Sequence, residues 1–166
     1  MAHKYRISRN LEANFIDFLK TILEDSPYSW TNLNIIKGFS KVYELELPTI
    51  CVRAENTIYN KVEIGSNSFT RTVQVFIDIF ATDDGMKLDL KDCIIEILKD
   101  GLIYNEYTIT KSGRTATASS TPNGRIRIQK IDDKAIDFNV DDKSKLDVHD
   151  RFRHLLTLTV SIGRVE

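Results

Sequence analysis

The sequence predicts an α+β fold: an antiparallel sheet of about four or more strands, two helices packed on one face, and a long hairpin or loop excursion. Three observations lead to this prediction. Two segments repeat apolar residues at helical spacing, and several others alternate polar and apolar residues with a period of two. The order is helix, three strands, helix and further strands, with short spacers that indicate antiparallel hairpins.

The first predicted helix runs from about Ser8 to Glu24. Ser8 or Asn10 is expected to cap it. Pro27 is expected to end it, because a proline disfavours helical geometry in the residue before it. The helix presents one apolar stripe formed by Leu11, Phe15, Phe18, Leu19 and Ile22.

Three strands are predicted next, at residues 42–55, 58–65 and 66–82. The spacers at 56–57 and 66–68 are short enough for hairpin turns, so the three strands form a meander. The third strand alternates most regularly. Its apolar face holds Phe69, Arg71, Val73, Val75, Ile77, Ile79 and Ala81.

A second helix is predicted from about Met86 to Lys99, followed by a strand at 102–110. Asp83 or Asp84 supplies its cap, and Gly101 closes it in a left-handed conformation. Its buried stripe consists of Leu90, Cys93, Ile94, Ile97 and Leu98.

The rest of the chain is less regular. Residues 111–124 have no large apolar side chain and predict a mobile loop, which residues 125–131 follow as a returning strand. A short strand at 135–140, a charged loop at 141–150 and a long strand at 151–165 complete the order. We expect this last strand and the strand that precedes the second helix to lie in the middle of the sheet.

Length and composition indicate one domain, residues 1–166, in which 111–150 form a flexible, charged excursion. The net charge of −1 does not indicate a globally basic nucleic-acid-binding protein. Cys51 and Cys93 lie in apolar runs and are expected to be buried free thiols, which suits a reducing compartment. With neither a signal peptide nor a long apolar run in the sequence, we expect a soluble protein that is not secreted.

The sequence shows no catalytic motif. It contains no nucleophile elbow, phosphate loop or dinucleotide fingerprint. The spacing of His149 and His154 suits neither a zinc pair nor a catalytic triad, and His3 is terminal. We therefore expect no catalytic residue, no metal ligand and no cofactor.

Asp78 lies between two isoleucines of a predicted strand and has two interpretations. It is a metal ligand of a nuclease, or it lies on a face that meets solvent or a neighbouring subunit. Thr70, Thr72 and Gln74 share that face, and no other carboxylates converge on it by spacing. The second interpretation is favoured.

The stretch from 111 to 130 contains five basic residues and no acidic one. It could contact nucleic acid, cover an active site, order against a partner, or form a plain surface loop. No aromatic residue is present to stack on bases, and no catalytic site is visible beneath a lid. We favour an arm that orders on a partner, through Lys111, Arg114, Arg125, Arg127 and Lys130.

The stretch from 132 to 150 has the opposite charge, with seven Asp against three Lys and a net charge of −4. It is either a solvated surface or a subunit contact. Unlike patches on one subunit suit head-to-tail contacts in a ring. The predicted acidic contact consists of Asp132, Asp133, Asp141 and Asp142.

The residues from about Leu47 to Gly101 read "LPTICVRAEN" and, from 61 to 98, "KVEIGSNSFTRTVQVFIDIFATDDGMKLDLKDCIIEIL". This stretch resembles the tail-terminator, or tail-completion, proteins of long-tailed bacteriophages and related neck proteins. In that family a helix precedes a proline-started strand, and a hairpin and a long strand with an A-x-D/N turn lead into a second helix. The first helix of this chain, "LEANFIDFLKTIL", also fits.

The resemblance implies a non-enzymatic virion assembly protein that forms a ring, commonly a hexamer. Such a ring caps the tail tube and joins it to the neck of the head, so the implied partners are further copies, the tube protein and a head-completion protein. Contact with DNA passing through the lumen is possible in such a ring. The alternatives are another ring-forming connector, such as a head-completion or tail-tube protein, and a metal-dependent phage nuclease that uses Asp78 and the acids of 132–150.

Overall fold

The computed structural model describes residues 2–61, 64–65 and 69–163. Two helices and seven strands form this part of the chain, with short 3-10 turns at Val42–Glu44 and Lys143–Lys145. The elements are β1 (Ala2–Lys4), α1 (Ile7–Glu24), β2 (Asn34–Lys37), β3 (Thr49–Lys61), β4 (Phe69–Phe80), α2 (Asp84–Leu98), β5 (Leu102–Ser112), β6 (Thr115–Ile136) and β7 (Arg153–Gly163).

All seven strands belong to one sheet in the order β1-β5-β6-β7-β4-β3-β2. β2 runs parallel to β3, and the other neighbours are antiparallel. The mixed sheet curls into a half-barrel, and 48% of the described residues are in strands. The predicted α+β class, with an antiparallel sheet of about four strands, is therefore wrong: the protein is mainly β.

The fold class was wrong for physical reasons that concern the weakest strands. β1 and β2 have three and four residues, which is too short for an alternating pattern to show. β2 is a strand only because it pairs in parallel with β3, from Asn34 opposite Thr49 to Lys37 opposite Val52. Such pairing depends on long-range contact rather than on local sequence.

The segment predicted as a loop at 111–124 is the most extensive error. Residues 115–124 instead belong to β6, which pairs with β5 from Ser112–Thr115 down to Asn105–Pro122. The hairpin turn lies at Gly113, whose φ of +60° suits glycine. The Thr and Ser side chains of this segment bury no core surface. The segment is extended because pairing with β5 satisfies the backbone groups along one side of the strand.

β6 also absorbs the strand predicted separately at 125–131 and the first two residues of the strand predicted at 135–140. Residues 137–140 are not in a strand, so that part of the prediction is wrong. β6 continues to Ile136 because a register shift between Ile128 and Lys130 keeps Ile131 opposite Leu158 of β7. One extra residue in the strand thus holds the apolar side chains on the core face on both sides of the irregularity.

β3 replaces the two strands predicted at 42–55 and 58–65, but it begins only at Thr49. Residues 42–48 are not in a strand and include a 3-10 turn, so the prediction is wrong there. The expected spacer at 56–57 is a bulge, with Asn56 at a φ of +53°, rather than a turn. The turn predicted at 66–68, like parts of the strands predicted at 58–65, 66–82 and 151–165, lies outside the described residues.

The helices lie close to their predicted positions, although only one cap was predicted correctly. Asp83 caps α2, and its Oδ1 accepts a hydrogen bond from the Met86 amide at 2.8 Å. α1 starts after Arg6 without a side-chain cap, so the prediction that Ser8 or Asn10 caps it is wrong. No helix of the described residues is long and apolar enough to cross a membrane.

The core lies between the two helices and one face of the sheet. β4 and β7 are neighbours at the centre of the sheet and supply alternate residues to this face. The main buried side chains are Leu11, Phe15, Leu19, Leu23, Val75, Ile77, Ile79, Leu90, Ile94, Leu98, Tyr104, Ile126, Leu156, Leu158 and Val160. A smaller apolar cluster of Val42, Cys51 and Phe80 lies on the opposite face.

Candidate functional site

Asp78 is enclosed by two arginines on the sheet face away from the helices. Its side chain is 1% exposed. Oδ2 accepts a hydrogen bond from Arg53 Nη2 at 3.0 Å, and Oδ1 accepts one from Arg153 Nη2 at 3.1 Å. β3 and β7 flank β4 and align these residues, with Arg53 opposite Phe76 and Arg153 opposite Phe80. Each carboxylate oxygen therefore has a cationic partner.

Aromatic rings complete the enclosure of Asp78. The Arg53 guanidinium lies 4.3 Å from the ring centre of Phe39, and that of Arg153 lies 4.8 Å from the ring centre of Phe80. Such cation–π contacts favour the charged arginines once water is removed. The arrangement is a buried charge cluster that ties three strands together and leaves no carboxylate oxygen facing an open cavity.

Neither interpretation of Asp78 matches this geometry. The favoured one placed it on a face that meets solvent or a neighbouring subunit, but the carboxylate is buried against two arginines of its own chain. A metal site needs several converging acidic, histidine or cysteine ligands. Within residues 2–61, 64–65 and 69–163, no group of three or more such side chains could hold an ion. Arg53 and Arg153 were not identified as candidate site residues from the sequence. The sequence showed only that each is a charged residue next to apolar residues of a strand-like segment.

The five predicted contact cations separate into two places. Lys111 and Arg114 lie at the exposed end of the β5–β6 hairpin, around the turn. Arg125, Arg127 and Lys130 lie farther along β6 on the sheet face away from the helices, opposite Gly163, Ser161 and Thr159 of β7. Arg125 donates to the Asp100 carbonyl at 3.2 Å, and Lys130 pairs with Asp132 at 2.8 Å.

The four predicted contact acids also occupy different places. Asp132 points away from the helices, whereas Asp133 lies beside α2, with Oδ2 3.6 Å from Lys91 Nζ. Asp141 and Asp142 are exposed in the loop that follows β6. Asp142 Oδ1 accepts from the Ser144 amide at 2.9 Å. The acids therefore form no single patch, and only the last two share a surface.

His149 fastens this acidic loop to the body of the protein. Its Nδ1 lies 2.8 Å from Asp147 Oδ1, and its Nε2 lies 2.8 Å from the Leu45 carbonyl. Tyr43 donates a hydrogen bond to Asp150 beside it. Burial lowers the pKa of His149, but the two acceptors outweigh burial and raise it above the usual value. Both ring nitrogens can donate only in the imidazolium form.

His154 has the opposite environment on the core face of β7. It is 5% exposed, and neither ring nitrogen has a hydrogen-bond partner among the described residues. Burial lowers its pKa, the Asp133 carboxylate opposes this effect, and the ammonium groups of Lys91 and Lys87 add to it. The neutral imidazole is therefore favoured.

Two asparagines of α1 close the outer edge of β5. Asn14 Nδ2 donates to the Asn105 carbonyl at 2.8 Å, and the Asn105 amide donates to Asn14 Oδ1 at 2.8 Å. Asn10 Oδ1 accepts from the Tyr107 amide at 3.1 Å. The side-chain amides thus replace a neighbouring strand. The only sequence signal was two asparagines, four positions apart, directly beside the apolar stripe of the helix.

An open cleft of about 730 Å³ lies between the first residues of the chain, the last residues of β3, the first residues of β4 and the middle of β5. Tyr5 and Tyr107 stack within it with ring centres 5.9 Å apart, and Arg71 lies 5.5 Å from the ring centre of Tyr59. Sequence reasoning did not identify this cleft, because its residues are far apart in the chain. Its lining is His3, Lys4, Arg6, Arg71 and Glu106 together with Tyr5, Tyr59 and Tyr107.

Both cysteines are free thiols. Cys51 is buried, and burial raises its pKa to about 12. Cys93 is half-buried rather than buried, and burial is also the largest cause of its raised pKa. Since the thiolate is the reactive species, neither cysteine is arranged as an activated nucleophile.

Comparison with known proteins identified no relative of the chain. No family model matches the chain, and no curated protein matches it.

Proposed function

We propose that the protein is a non-enzymatic virion assembly subunit, the tail terminator of a long-tailed bacteriophage. In this proposal several copies, most simply six, form a ring that caps the completed tail tube and joins it to the neck of the head. The ring assembles in the host cytoplasm and becomes part of the virion. The tube protein and a head-completion protein are its partners.

The observation that carries the proposal is the part of the β5–β6 hairpin nearest its turn, residues 105–122, here called the arm. Every residue from 110 to 122 is exposed. Beyond the three residues of β1, the arm consists of two strands only. Isolated two-stranded hairpins are marginally stable in water, so an arm of this length suits a protein that docks against another subunit.

The element order is the second support. The first helix, the strand that follows Pro48, the long β4, the turn after Ala81 and the second helix occur in the order implied by the resemblance to tail terminators. The buried, doubly paired Asp78 also favours a structural subunit over the nuclease alternative, because both of its oxygens are engaged by arginines.

The exposed face of β6 supports contact with DNA in the lumen of such a ring. Arg125 and Arg127 lie on this face, opposite Gly163 and Ser161 of β7, while Ile126 between them is buried. Two exposed guanidinium groups that project from a paired strand suit non-specific contact with phosphates. Because each phosphate neutralised makes binding more sensitive to salt, this contact should weaken as ionic strength rises.

Electron microscopy and light scattering of the purified protein, alone and with tail tubes, test the proposal. Ring particles with the mass of about six chains, which bind at one end of the tube, are the expected result. A strict monomer at high concentration that forms no ring on tubes would contradict it. Another ring-forming connector would give rings that bind heads or extend along the tube instead of ending it.

The nuclease alternative has a separate test. DNA cleavage in Mg²⁺ that disappears in Asp78→Asn, a variant that keeps the volume of the side chain, would overturn the structural proposal. The DNA contact is tested with Arg125→Ser and Arg127→Ser together, against Lys20→Ser and Lys41→Ser as a charge-matched control. We expect weaker DNA retention in particles of the first variant only, and equal retention would exclude the contact.

A further inference from the structure

The two ends of β6 carry opposite charge. Arg114 stands in the turn before the strand, and it forms no ion pair with any described residue. Beyond the other end lie Asp137, Asp141 and Asp142, which are exposed and form no ion pair within the described ranges. Asp137 and Asp142 accept hydrogen bonds from the backbone amides of Asn139 and Ser144. β6 has 22 residues and so measures roughly 70 Å along its path. The charged ends are too far apart to meet within one copy.

The arm also has an open edge. Among the described residues, 115–121 pair only with β5, on one side, and the pairing of β6 with β7 begins at Arg125. This segment, "TATASST", has no charge and no proline, and its register is continuous. Proteins usually protect an exposed strand edge with charged residues, prolines or bulges, and this segment has none of them. The opposite edge of the hairpin is protected, by β1 and by the side chains of Asn10 and Asn14.

We propose that the arm of one copy docks head to tail on a second copy, with Arg114 against the acidic end defined by Asp137, Asp141 and Asp142. The second copy is the occupant because one chain carries both charges at opposite ends of a single strand. The same contact then repeats from copy to copy and closes into a ring. The inference rests on the proposed function, for which it names the contacting surfaces.

The two parts of this contact have different roles. Exposed ion pairs contribute little affinity, but they select the correct partner and set its register. The main-chain groups of residues 115–121 supply the affinity once the neighbouring copy covers them. Both parts are needed, since the charges alone would give a weak and salt-sensitive association.

Charge reversal tests the inference in the full-length chain. The arm variant carries Lys111→Glu and Arg114→Glu, the acid-end variant carries Asp137→Lys and Asp141→Lys, and the control carries Lys20→Glu and Lys41→Glu. Assembly is measured by light scattering over a concentration series. We expect each of the first two variants to associate at least about tenfold more weakly, because like charges replace unlike ones, and the control to assemble normally.

Mixing gives the decisive measurement. In a mixture of the two defective variants, each reversed end meets a complementary end if the copies alternate, so assembly should return. Failure to recover, or normal assembly of the arm variant alone, would overturn the inference while leaving ring formation intact. A wild-type protein that never assembles would overturn both this inference and the proposed function. Far-UV circular dichroism and thermal unfolding establish that every variant is folded.

The open edge is tested by Thr117→Lys and Ser119→Lys, which place charges on exposed positions of a strand that needs no core. Weaker association that persists at 0.5 M salt supports a role for the edge, since salt screens simple repulsion. Unchanged association would show that residues 115–121 lie outside the contact. Thr21→Lys and Ser40→Lys, at exposed positions outside β6, serve as the comparison.

Discussion

The Asp78 carboxylate accepts a hydrogen bond from Arg153 at 3.1 Å, across the pairing of two central strands. With Arg53 on the other side, Asp78 forms a nearly buried triad beneath Phe39. Buried ion pairs add little net stability, but removal of one partner leaves uncompensated charge. The triad therefore makes the alignment of β3, β4 and β7 depend on one carboxylate.

Asp78→Ala should lower the free energy of unfolding by roughly 3–5 kcal/mol, because two arginines would remain largely buried without their anion. Urea unfolding measures the effect. Glu55→Ala is the matched control, since it removes only the partly exposed pair with Arg53 and should cost less than about 1 kcal/mol. Equal losses in the two variants would show that Asp78 is not the centre of the cluster.

His154→Gln should remove part of the loss of stability in mild acid. The folded pKa of His154 lies below the unfolded value of about 6.5, so the unfolded chain binds the proton more readily. The stability that depends on a neutral His154 is fully present above pH 6.5 and is lost as the pH falls through the folded pKa of this residue. Unfolding at pH 7.5 and pH 5.5 compares the proteins, and an identical pH dependence would contradict the assignment.

His149→Gln should have the opposite pH signature. The raised pKa of His149 gives stability that is fully present below pH 6.5 and is lost as the pH rises through the folded pKa. The variant should therefore be most destabilised, relative to wild type, in mild acid. Titration of the His149 ring by NMR gives the midpoint directly, and a midpoint below 6.5 would contradict the two-acceptor geometry.

Asn14→Leu should destabilise the protein by roughly 2–4 kcal/mol, since the amide and carbonyl of Asn105 both lose their partner. Asn14→Asp is the informative control, because it keeps an acceptor for the Asn105 amide but cannot donate to the carbonyl. An intermediate loss is expected for the Asp variant. Thermal or urea unfolding ranks the three proteins, and a fully stable Leu variant would exclude the edge-closing role.

Gly101→Ala should destabilise the end of α2. Gly101 has a φ of +71°, and an added Cβ would lie 2.4 Å from the Ile126 carbonyl oxygen. The backbone strain alone costs roughly 1–3 kcal/mol. Gly85→Ala is the control, because its Cβ would meet only a side-chain oxygen at 3.3 Å. A loss at position 101 no greater than at position 85 would be inconsistent with the close approach to β6.

The sequence alone predicted the elements that carry their own periodic signal. Both helices, the cap at Asp83, the left-handed Gly101 and the long β4 and β7 have apolar spacing or turn chemistry within a short window. The strand predicted at 125–131 also alternates Ile126 with Arg125 and Arg127, and the structure buries Ile126 in the core. Local pattern is sufficient where the burial of one face decides the conformation.

Only the tertiary structure decided the class of the fold and the surroundings of each charge. Residues 115–124 have no side chain to bury, and their extended conformation comes from pairing with β5, which no local pattern encodes. Asp78, Arg53 and Arg153 meet because β3 and β7 lie on either side of β4, although 75 residues separate Asp78 from Arg153. Strand pairing and charge pairing are contacts between distant residues, so the curled seven-stranded sheet and its buried triad arise only when the chain has folded.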